Sequence, residues 1–160
     1  ASGSEDTSVR VWDVGARACV CTLAGHTGQV ESLAVLADGR LASGSRDGTV
    51  RLWDVLGAGA CVGVLSPSGH TRYVTALAAL PDGRLAAGTE DGGIWLCDTS
   101  PAAAATTAGS SRAAGALSIA ALGCAVGGVK GLVVLPDGRI ASAHSVNTAV
   151  YLWEAPPPAA

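Results

Sequence analysis

The stretch Leu33-Ala-Val-Leu-Ala-Asp-Gly-Arg-Leu-Ala-Ser-Gly-Ser45 decides the fold, because the chain repeats it twice. It returns as Leu77-Ala-Ala-Leu-Pro-Asp-Gly-Arg-Leu-Ala-Ala-Gly-Thr89 and as Leu132-Val-Val-Leu-Pro-Asp-Gly-Arg-Ile-Ala-Ser142. The aspartates of the three Asp-Gly-Arg triplets stand at positions 38, 82 and 137, so the copies lie 44 and then 55 residues apart. A period of about 40–45 residues is typical of one blade of a β-propeller.

One period alternates short apolar runs with turn residues, which indicates antiparallel strands. The predicted strands cover residues 30–36, 40–45, 50–55 and 60–65. Turns are predicted at Asp38-Gly39 and Asp47-Gly48. Because connections this short force neighbours in sequence to pair in space, each period forms one small sheet.

Over the whole chain the same pattern predicts fourteen strands in groups of three, four, four and three, an all-β fold. Propellers typically have four to eight blades, so we expect an incomplete ring of four-stranded antiparallel blades. Unpaired strand edges at its ends would favour self-association. The predicted units are a partial blade over 1–25, a complete blade over 26–69, a blade over 70–124 with a loop insertion at 99–115, a partial blade over 125–154 and the start of a Pro-rich linker over 155–160.

Four dipeptides add a family resemblance: Trp12-Asp13, Gly25-His26, Trp53-Asp54 and Gly69-His70. Through them nearly the whole chain resembles the WD40-repeat β-propeller family. In that family a Ser or Thr of the second strand, an Asp of the next turn, the His of Gly-His and the Trp of Trp-Asp form a buried hydrogen-bonded tetrad. The resemblance implies this tetrad in the second repeat at His26, Ser45, Asp47 and Trp53.

The resemblance implies incomplete tetrads in the other repeats. Their members are Ser4, Asp6 and Trp12 in the first repeat, His70, Thr89 and Asp91 in the third, and Ser145, Asn147 and Trp153 in the last. Cys97 stands at the Trp position of the third repeat and Ala125 at the His position of the last. Because an unpaired buried polar group costs about 1–3 kcal/mol, we expect these repeats to be less rigid than the second. The repeat gives His144 no role, and we expect it at the surface or in a loop.

The residues give no support to catalysis or metal binding. Ser45, His26 and Asp47 are the residue types of a nucleophilic triad, but the repeat motif uses all three positions and we expect the hydroxyl to be buried. The chain is therefore predicted not to be an enzyme, and no cofactor is predicted. Cys19-Val-Cys21 lacks the second Cys pair or nearby His that a metal site needs, so no metal site is predicted.

The amino-acid composition predicts which classes of partner the chain binds and where in the cell it is located. A net charge of −3 and the absence of any Lys and Arg cluster argue against a nucleic-acid partner. The uncharged stretch 113–129 is too short to predict a membrane span. Five cysteines without a secretory signal favour an intracellular location, cytoplasmic or nuclear. Because the chain has no Met and begins inside a repeat, we expect it to be a segment.

In the resembled family, the positions three and five beyond each Gly-His histidine and the residue before each turn Asp line a binding face. Here that face would contain Glu5, Gln29, Glu31, Arg46, Tyr73, Thr75 and Glu90. The resemblance implies a non-catalytic scaffold or adaptor that binds other proteins or peptides. Three alternatives stay open: the regulatory propeller of a larger enzyme such as a kinase, a substrate receptor of a ubiquitin ligase, and a truncated fragment without function.

Overall fold

The computed structural model describes residues 1–57, 59–66, 72–99, 121–124, 126–146 and 149–157. In this part of the chain all regular structure is β-strand, arranged in four antiparallel sheets that we number blades 1 to 4. Within every blade each strand pairs with its neighbours in sequence, so each blade is a simple meander. The predicted all-β fold is confirmed.

The four blades contain three, four, four and three strands. Blade 1 consists of β1 (Ser2–Gly3), β2 (Val9–Asp13) and β3 (Ala18–Leu23), and blade 2 of β4 (Val30–Val35), β5 (Leu41–Ser45), β6 (Val50–Asp54) and β7 (Ala60–Leu65). Blade 3 consists of β8 (Val74–Ala79), β9 (Arg84–Thr89), β10 (Gly93–Asp98) and β11 (Ala121–Cys124), and blade 4 of β12 (Val129–Val134), β13 (Ile140–His144) and β14 (Val150–Trp153). This grouping matches the predicted one.

The Asp-Gly-Arg triplets form the turn between the first two strands of blades 2, 3 and 4. Asp38 accepts the backbone N–H of Arg40 at 3.1 Å with one carboxylate oxygen and Nε of Arg40 at 2.7 Å with the other. The same two bonds recur in the triplets 82–84 and 137–139. Gly39 has a φ of 87°, a conformation that favours glycine. The repeated triplet is therefore a structural turn.

The blades pack face to face, and their first strands lie closest to one another. In this way β4 lies beside β8, and β8 lies beside β12. We call the face directed at the following blade the trailing face, and the face directed at the preceding blade the leading face. Val50 and Leu52, on the trailing face of blade 2, form one buried cluster with Val74, Leu77 and Leu85 of blade 3. The core therefore lies between blades, because one sheet cannot bury its own faces.

The other two interfaces are built in the same way. Between blades 1 and 2 the buried cluster contains Val9, Leu23, Val30, Leu41 and Trp53. Between blades 3 and 4 it contains Ala78, Leu80, Ala86, Leu96 and Ile140. No core cluster in the described residues joins blade 4 to blade 1, so the four blades form an open arc.

A glycine in each of β1, β5 and β9, which are equivalent strands of the first three blades, lies against a valine of the next blade. A Cβ atom added to Gly44 would lie 2.7 Å from Cγ1 of Val74, and one added to Gly88 would lie 2.5 Å from Cγ1 of Val129. Gly3 of blade 1 stands in the same relation to Val30. These close approaches set the spacing between blades.

Two predicted segments lie largely outside the described residues. Of the predicted loop over 99–115 only Thr99 is described, and it follows β10 directly. Thr99 is 3% exposed, and its hydroxyl donates to the carbonyl of Gly83. In the predicted linker, Ala155 packs against the cluster between blades 3 and 4, while 158–160 lie outside the description.

Replacing Gly88 by Ala should lower the free energy of unfolding by about 1–3 kcal/mol, because the new methyl group overlaps Val129 of the next blade. Gly131→Ala is the matched control, since nothing lies within 4 Å of a Cβ atom at that position. Urea unfolding, followed by tryptophan fluorescence, measures the free energy of unfolding of both variants. Equal stability of the two variants would contradict the tight spacing between blades.

Candidate functional site

A chain of buried hydrogen bonds crosses blade 2. The indole Nε1–H of Trp53 donates to Ser43 Oγ at 2.7 Å, and Ser43 Oγ lies 2.7 Å from Nε2 of His26. Nδ1 of His26 lies 2.7 Å from Oδ2 of Asp47. Because a carboxylate only accepts, Nδ1 carries the proton and Nε2 accepts the hydroxyl hydrogen of Ser43. The bonds therefore run in one direction, from Trp53 to Asp47.

The prediction that Ser45 supplies the hydroxyl of this tetrad is wrong. Ser45 instead donates to the carbonyl of Gly28 at 2.9 Å and accepts the backbone N–H of Asp47 at 3.1 Å. Ser43 and Ser45 are two residues apart and lie on the same face of β5, so strand alternation does not distinguish them. The pairing register between β5 and β6 does distinguish the two serines, because Ser43 lies opposite Arg51 of β6 while Ser45 is the last residue of β5.

The electrostatics of the tetrad favour a neutral histidine beside an ionised aspartate. Burial raises the pKa of Asp47, but hydrogen bonds from Thr49, the Thr27 backbone and His26 outweigh it and lower the pKa to about 2. Burial lowers the pKa of His26 from its ordinary value of 6.5, and the contact with Asp47 offsets this only in part. A neutral ring is the form that accepts a hydrogen bond at Nε2.

Ser43, His26 and Asp47 make the contacts expected of a nucleophilic triad. However, Ser43 is 0% exposed and His26 is 5% exposed. The hydroxyl oxygen of Ser43 also already accepts the indole N–H of Trp53. A substrate has no access to this hydroxyl in the structure, so the arrangement works as an internal brace.

Blade 1 shows the same shift of two residues. Trp12 Nε1 donates to Ser2 Oγ at 2.9 Å, whereas the predicted Ser4 accepts the backbone N–H of Asp6 at 3.2 Å. Asp6 also accepts the backbone N–H of Ser8 at 2.9 Å, so it organises the turn before β2. Ser2, and not Ser4, is therefore the counterpart of Ser43.

Blade 4 contains a hydrogen-bond chain that the sequence did not predict. Trp153 Nε1 donates to Ser142 Oγ at 2.8 Å, and Ser142 Oγ lies 2.9 Å from Nε2 of His144. Nδ1 of His144 donates to the carbonyl of Gly127 at 2.9 Å. His144 is 6% exposed and lies within β13, so the expectation of a surface or loop histidine is wrong. The predicted Ser145 is exposed and takes no part in this chain.

The cause of this rearrangement is again the period of two along a strand. His144 follows Ser142 by two residues and lies on the same face of β13, so its ring reaches the hydroxyl from within the strand. In blade 2 the corresponding ring, that of His26, comes from the segment before the first strand. The carbonyl of Gly127 accepts a hydrogen bond from Nδ1–H of His144, as Asp47 does from Nδ1–H of His26 in blade 2.

Blade 3 has neither the hydroxyl nor the indole of the tetrad. Strand register places Ala87 where blade 2 has Ser43, and Cys97 where it has Trp53. Burial raises the pKa of the Cys97 thiol to about 12. The predicted Thr89 donates to Asp91 at 2.5 Å, which closes the turn before β10. Three further predicted positions lie outside the described residues: His70, Ala125 and Asn147.

The predicted binding-face residues cluster at the edge where second strands end and first strands begin. The backbone N–H of Arg46 donates to the carbonyl of Gln29 at 2.9 Å, and that of Glu90 donates to the carbonyl of Tyr73 at 3.1 Å. These bonds fix each turn against the start of the first strand of its own blade. We call this edge the upper rim and define it by Gln29, Glu31, Arg46, Tyr73 and Glu90.

The centre of the upper rim is a cluster of Glu31, Arg46 and Tyr73. Nε of Arg46 donates to Oε1 of Glu31 at 2.5 Å, and the Arg46 guanidinium lies 5.6 Å from the centre of the Tyr73 ring. The latter distance is that of a cation–π contact. Tyr73 remains 38% exposed. Because Arg46 belongs to blade 2 and Tyr73 to blade 3, the cluster forms one surface across two blades.

Two other predicted binding-face residues have different environments. Glu5 is exposed in the turn after β1, the counterpart of the turn that carries Arg46. Thr75 donates its hydroxyl to the carbonyl of Val129 at 2.5 Å and is partly buried. Its polar group therefore joins blade 3 to blade 4 and is not free for a partner.

Sequence reasoning missed a cleft of about 590 Å³ at the opposite edge, between the Asp-Gly-Arg turns of blades 3 and 4. Its walls include two ion pairs, Asp82 with Arg84 at 2.6 Å and Asp137 with Arg139 at 2.7 Å. Each arginine is neutralised within its own turn, so the cleft has no strong preference for an anion. The repeated triplets were the signal that marked its position.

The described residues were also compared with the requirements of a metal site, a disulfide bond and a membrane-spanning helix. No three His, Cys, Asp or Glu side chains among them lie close enough together to hold a metal ion. Four cysteines in the described ranges have free thiols: Cys19, Cys21, Cys61 and Cys97. The same ranges contain no helix with the length and apolar character needed to cross a membrane.

Antiparallel meanders stacked face to face, with a buried Trp–Ser–His–Asp chain in one of them, define a protein built from propeller-type blades. The family model described as WD domain, G-beta repeat matches residues 17–54 and 59–98. The chain is therefore a WD40-repeat protein, and the resemblance seen in the sequence is confirmed. Repeats of this family generally mediate protein–protein interactions and are typically non-catalytic. No curated protein matches the chain.

Replacing Ser43 by Ala should lower the free energy of unfolding by about 2–4 kcal/mol, because Trp53 Nε1 and His26 Nε2 both lose their buried partner. Ser45→Ala is the matched control in the same strand, and we expect it to cost about 1 kcal/mol. Chemical denaturation of the two variants gives the comparison. A larger loss for Ser45→Ala would mean that the assignment of the tetrad hydroxyl is wrong.

Proposed function

We propose that this protein is a non-catalytic scaffold or adaptor that binds other proteins or peptides through the upper rim. The observation that carries the proposal is the cluster of Glu31, Arg46 and Tyr73, which offers an aromatic ring and a guanidinium on one surface. Tyrosine and arginine are enriched among the residues that dominate binding energy at protein interfaces.

The cluster is held in place before any partner arrives. Arg46 is fixed at its backbone by Gln29 and at its side chain by Glu31, and Tyr73 is fixed at its backbone by Glu90. A preorganised surface loses little conformational entropy on binding, so more of its contact energy contributes to affinity. The buried tetrad of blade 2 supports this geometry, because Asp47 follows Arg46 directly and accepts the Thr27 backbone N–H at 3.0 Å.

The charges of the upper rim indicate a partner that presents both polar and apolar groups. Glu31 and Arg46 neutralise each other, and Arg72 lies 3.5 Å from Asp91 beside Tyr73. With these pairs satisfied, the Tyr73 ring is the apolar anchor of the rim. A peptide with an apolar side chain flanked by hydrogen-bonding groups fits this surface.

Selection of a displayed random-peptide library against the immobilised chain tests the proposal. The double variant Arg46→Ala with Tyr73→Ala should bind the selected peptides at least tenfold more weakly, because it removes both anchors. Leu56→Ala is the control, since Leu56 is 83% exposed in the turn after β6, at the opposite edge of blade 2. Unchanged thermal melting should show that both variants remain folded.

Two outcomes would contradict the proposal. Peptides that bind the double variant as tightly as the unaltered chain would place binding elsewhere. A selection that enriches no peptide would argue against a peptide-binding rim.

A further inference from the structure

Two clefts of unequal size occupy equivalent places at the edge opposite the upper rim, which we call the lower edge. The small cleft, between blades 2 and 3, lies beside Arg40 and Thr99 and has a volume of about 230 Å³. The large cleft, between blades 3 and 4, lies beside Arg84 and Ala155 and has a volume of about 590 Å³. Each cleft separates two Asp-Gly-Arg turns, so the difference in size has a local cause.

Thr99 narrows the small cleft through two polar contacts. Its carbonyl accepts a hydrogen bond from the guanidinium of Arg40 at 2.5 Å, and its hydroxyl donates to the carbonyl of Gly83 at 2.5 Å. Arg40 and Gly83 belong to the Asp-Gly-Arg triplets of neighbouring blades. One threonine therefore satisfies a donor on one side of the small cleft and an acceptor on the other.

Ala155 is the counterpart of Thr99 in blade 4. Strand register aligns the two, because each lies two residues after the position of β10 or β14 that pairs with the first residue beyond its Asp-Gly-Arg triplet. Alanine has no hydroxyl, so position 155 cannot supply a donor to the carbonyl of Gly138, the counterpart of Gly83. The wider opening of the large cleft therefore follows from the residue type at this position.

Arg84, the counterpart of Arg40, also lacks an interblade partner within the described residues. Its guanidinium contacts Asp82 in its own turn, with Nε at 2.8 Å and Nη2 at 2.6 Å from Oδ2. Among these residues it makes no hydrogen bond to the carbonyl of Ala155. The Arg84 side chain is 16% exposed, as closely covered as Arg40 at 15%. A donor with so little access to water favours a ligand that supplies the missing acceptor.

The remaining wall of the large cleft combines apolar surface with a few charges. The apolar surface comes from Leu80, Pro81, Pro156 and Pro157. A cleft of about 300–1,000 Å³ with an apolar lining and a few fixed polar groups is typical of a ligand site. The large cleft has this size and this composition.

The charges around the large cleft are unequal in number. Three carboxylates line it, those of Asp82, Asp137 and Glu154, against the two guanidiniums of Arg84 and Arg139. The excess of one negative charge disfavours an anionic ligand and favours a neutral or positively charged one.

We propose that the large cleft binds an extended peptide segment of another protein through a serine or threonine, which takes the part that Thr99 plays in the small cleft. The main-chain carbonyl of that residue accepts a hydrogen bond from Arg84, and its hydroxyl donates to the carbonyl of Gly138. A peptide is the expected ligand because the small cleft already holds a peptide group and a hydroxyl in the same two contacts. The site does not depend on the function proposed for the upper rim.

The same contacts predict that phosphorylation of the ligand prevents binding. A phosphorylated serine or threonine no longer has a hydroxyl that donates to the Gly138 carbonyl. Its phosphate would also lie beside the carboxylates of the cleft, where like charges repel. The large cleft therefore distinguishes the unmodified segment from the phosphorylated one.

Nitrogen-15 NMR titration of the full 160-residue chain tests the site. The probe is the capped pentapeptide acetyl-Ala-Leu-Thr-Lys-Ala-amide, in which leucine suits the apolar wall and lysine suits the excess negative charge. We expect it to shift the side-chain Nε–H signal of Arg84 and the backbone signal of Gly138. The peptide with valine in place of threonine should bind about tenfold more weakly, because the Gly138 carbonyl then loses its donor. The phosphothreonine peptide should bind more weakly still.

Two variants of the chain test the contacts from the other side. Ala155→Thr should weaken binding of the threonine peptide about tenfold, because the chain then supplies its own hydroxyl to the cleft. Its control is Ala18→Thr, at an exposed position of β3 in blade 1. Arg84→Gln should also weaken binding, whereas Arg40→Gln alters the equivalent arginine of the small cleft and should leave the affinity unchanged. Thermal melting checks that each variant is folded.

Several results would overturn the proposal. Equal affinities of the threonine and valine peptides, or an unchanged affinity in Ala155→Thr, would show that the hydroxyl contact does not form. Tighter binding of the phosphothreonine peptide would make the cleft an anion site. Shifts confined to the upper rim, or no shifts with millimolar peptide, would place no peptide in the cleft. Arg84 signals that respond to dilution of the chain and not to peptide would show that a second copy fills it.

Discussion

The hydroxyl of Ser43 is the point on which the geometry of blade 2 depends. It accepts a hydrogen bond from Trp53 and donates one to His26, so it ties β5 to β6 and to the segment before β4. Because Ser43 is fully buried, each of these groups must find its partner inside the protein. A slip in strand register would leave all of them unpaired. This constraint fixes the turn at Asp47, and with it the position of Arg46 at the upper rim.

The strands and their grouping could be predicted because they follow from local patterns. Alternating apolar residues mark β4 to β7, and each Asp-Gly-Arg triplet forms the same turn through the same two side-chain bonds. The local sequence pattern could not predict how neighbouring blades pack against each other. Gly88 must remain a glycine only because Val129 of the next blade packs directly against it, and Val129 lies 41 positions further along the sequence.

The tetrad shows where sequence reasoning stops. Ser43 and Ser45 have the same side-chain direction and the same chemistry, and only the register with β6 separates their roles. His144 was missed for the opposite reason, since a family pattern that takes its histidine from a loop gives no weight to one inside a strand. Blade 4 reaches a similar hydrogen-bond chain with a backbone carbonyl in place of a carboxylate. Equivalent braces can therefore arise from different residues in neighbouring repeats.

The direction of the hydrogen bonds in the tetrad connects it to the upper rim. A neutral His26 with its proton on Nδ1 can accept from Ser43 and donate to Asp47, and Asp47 holds the backbone beside the upper rim. Nitrogen-15 NMR of His26 in the intact chain tests this arrangement most directly. We predict a neutral ring with the proton on Nδ1, retained below pH 6.5 because burial lowers the pKa of His26. A ring protonated on Nε2, or an imidazolium at pH 6.5, would contradict it.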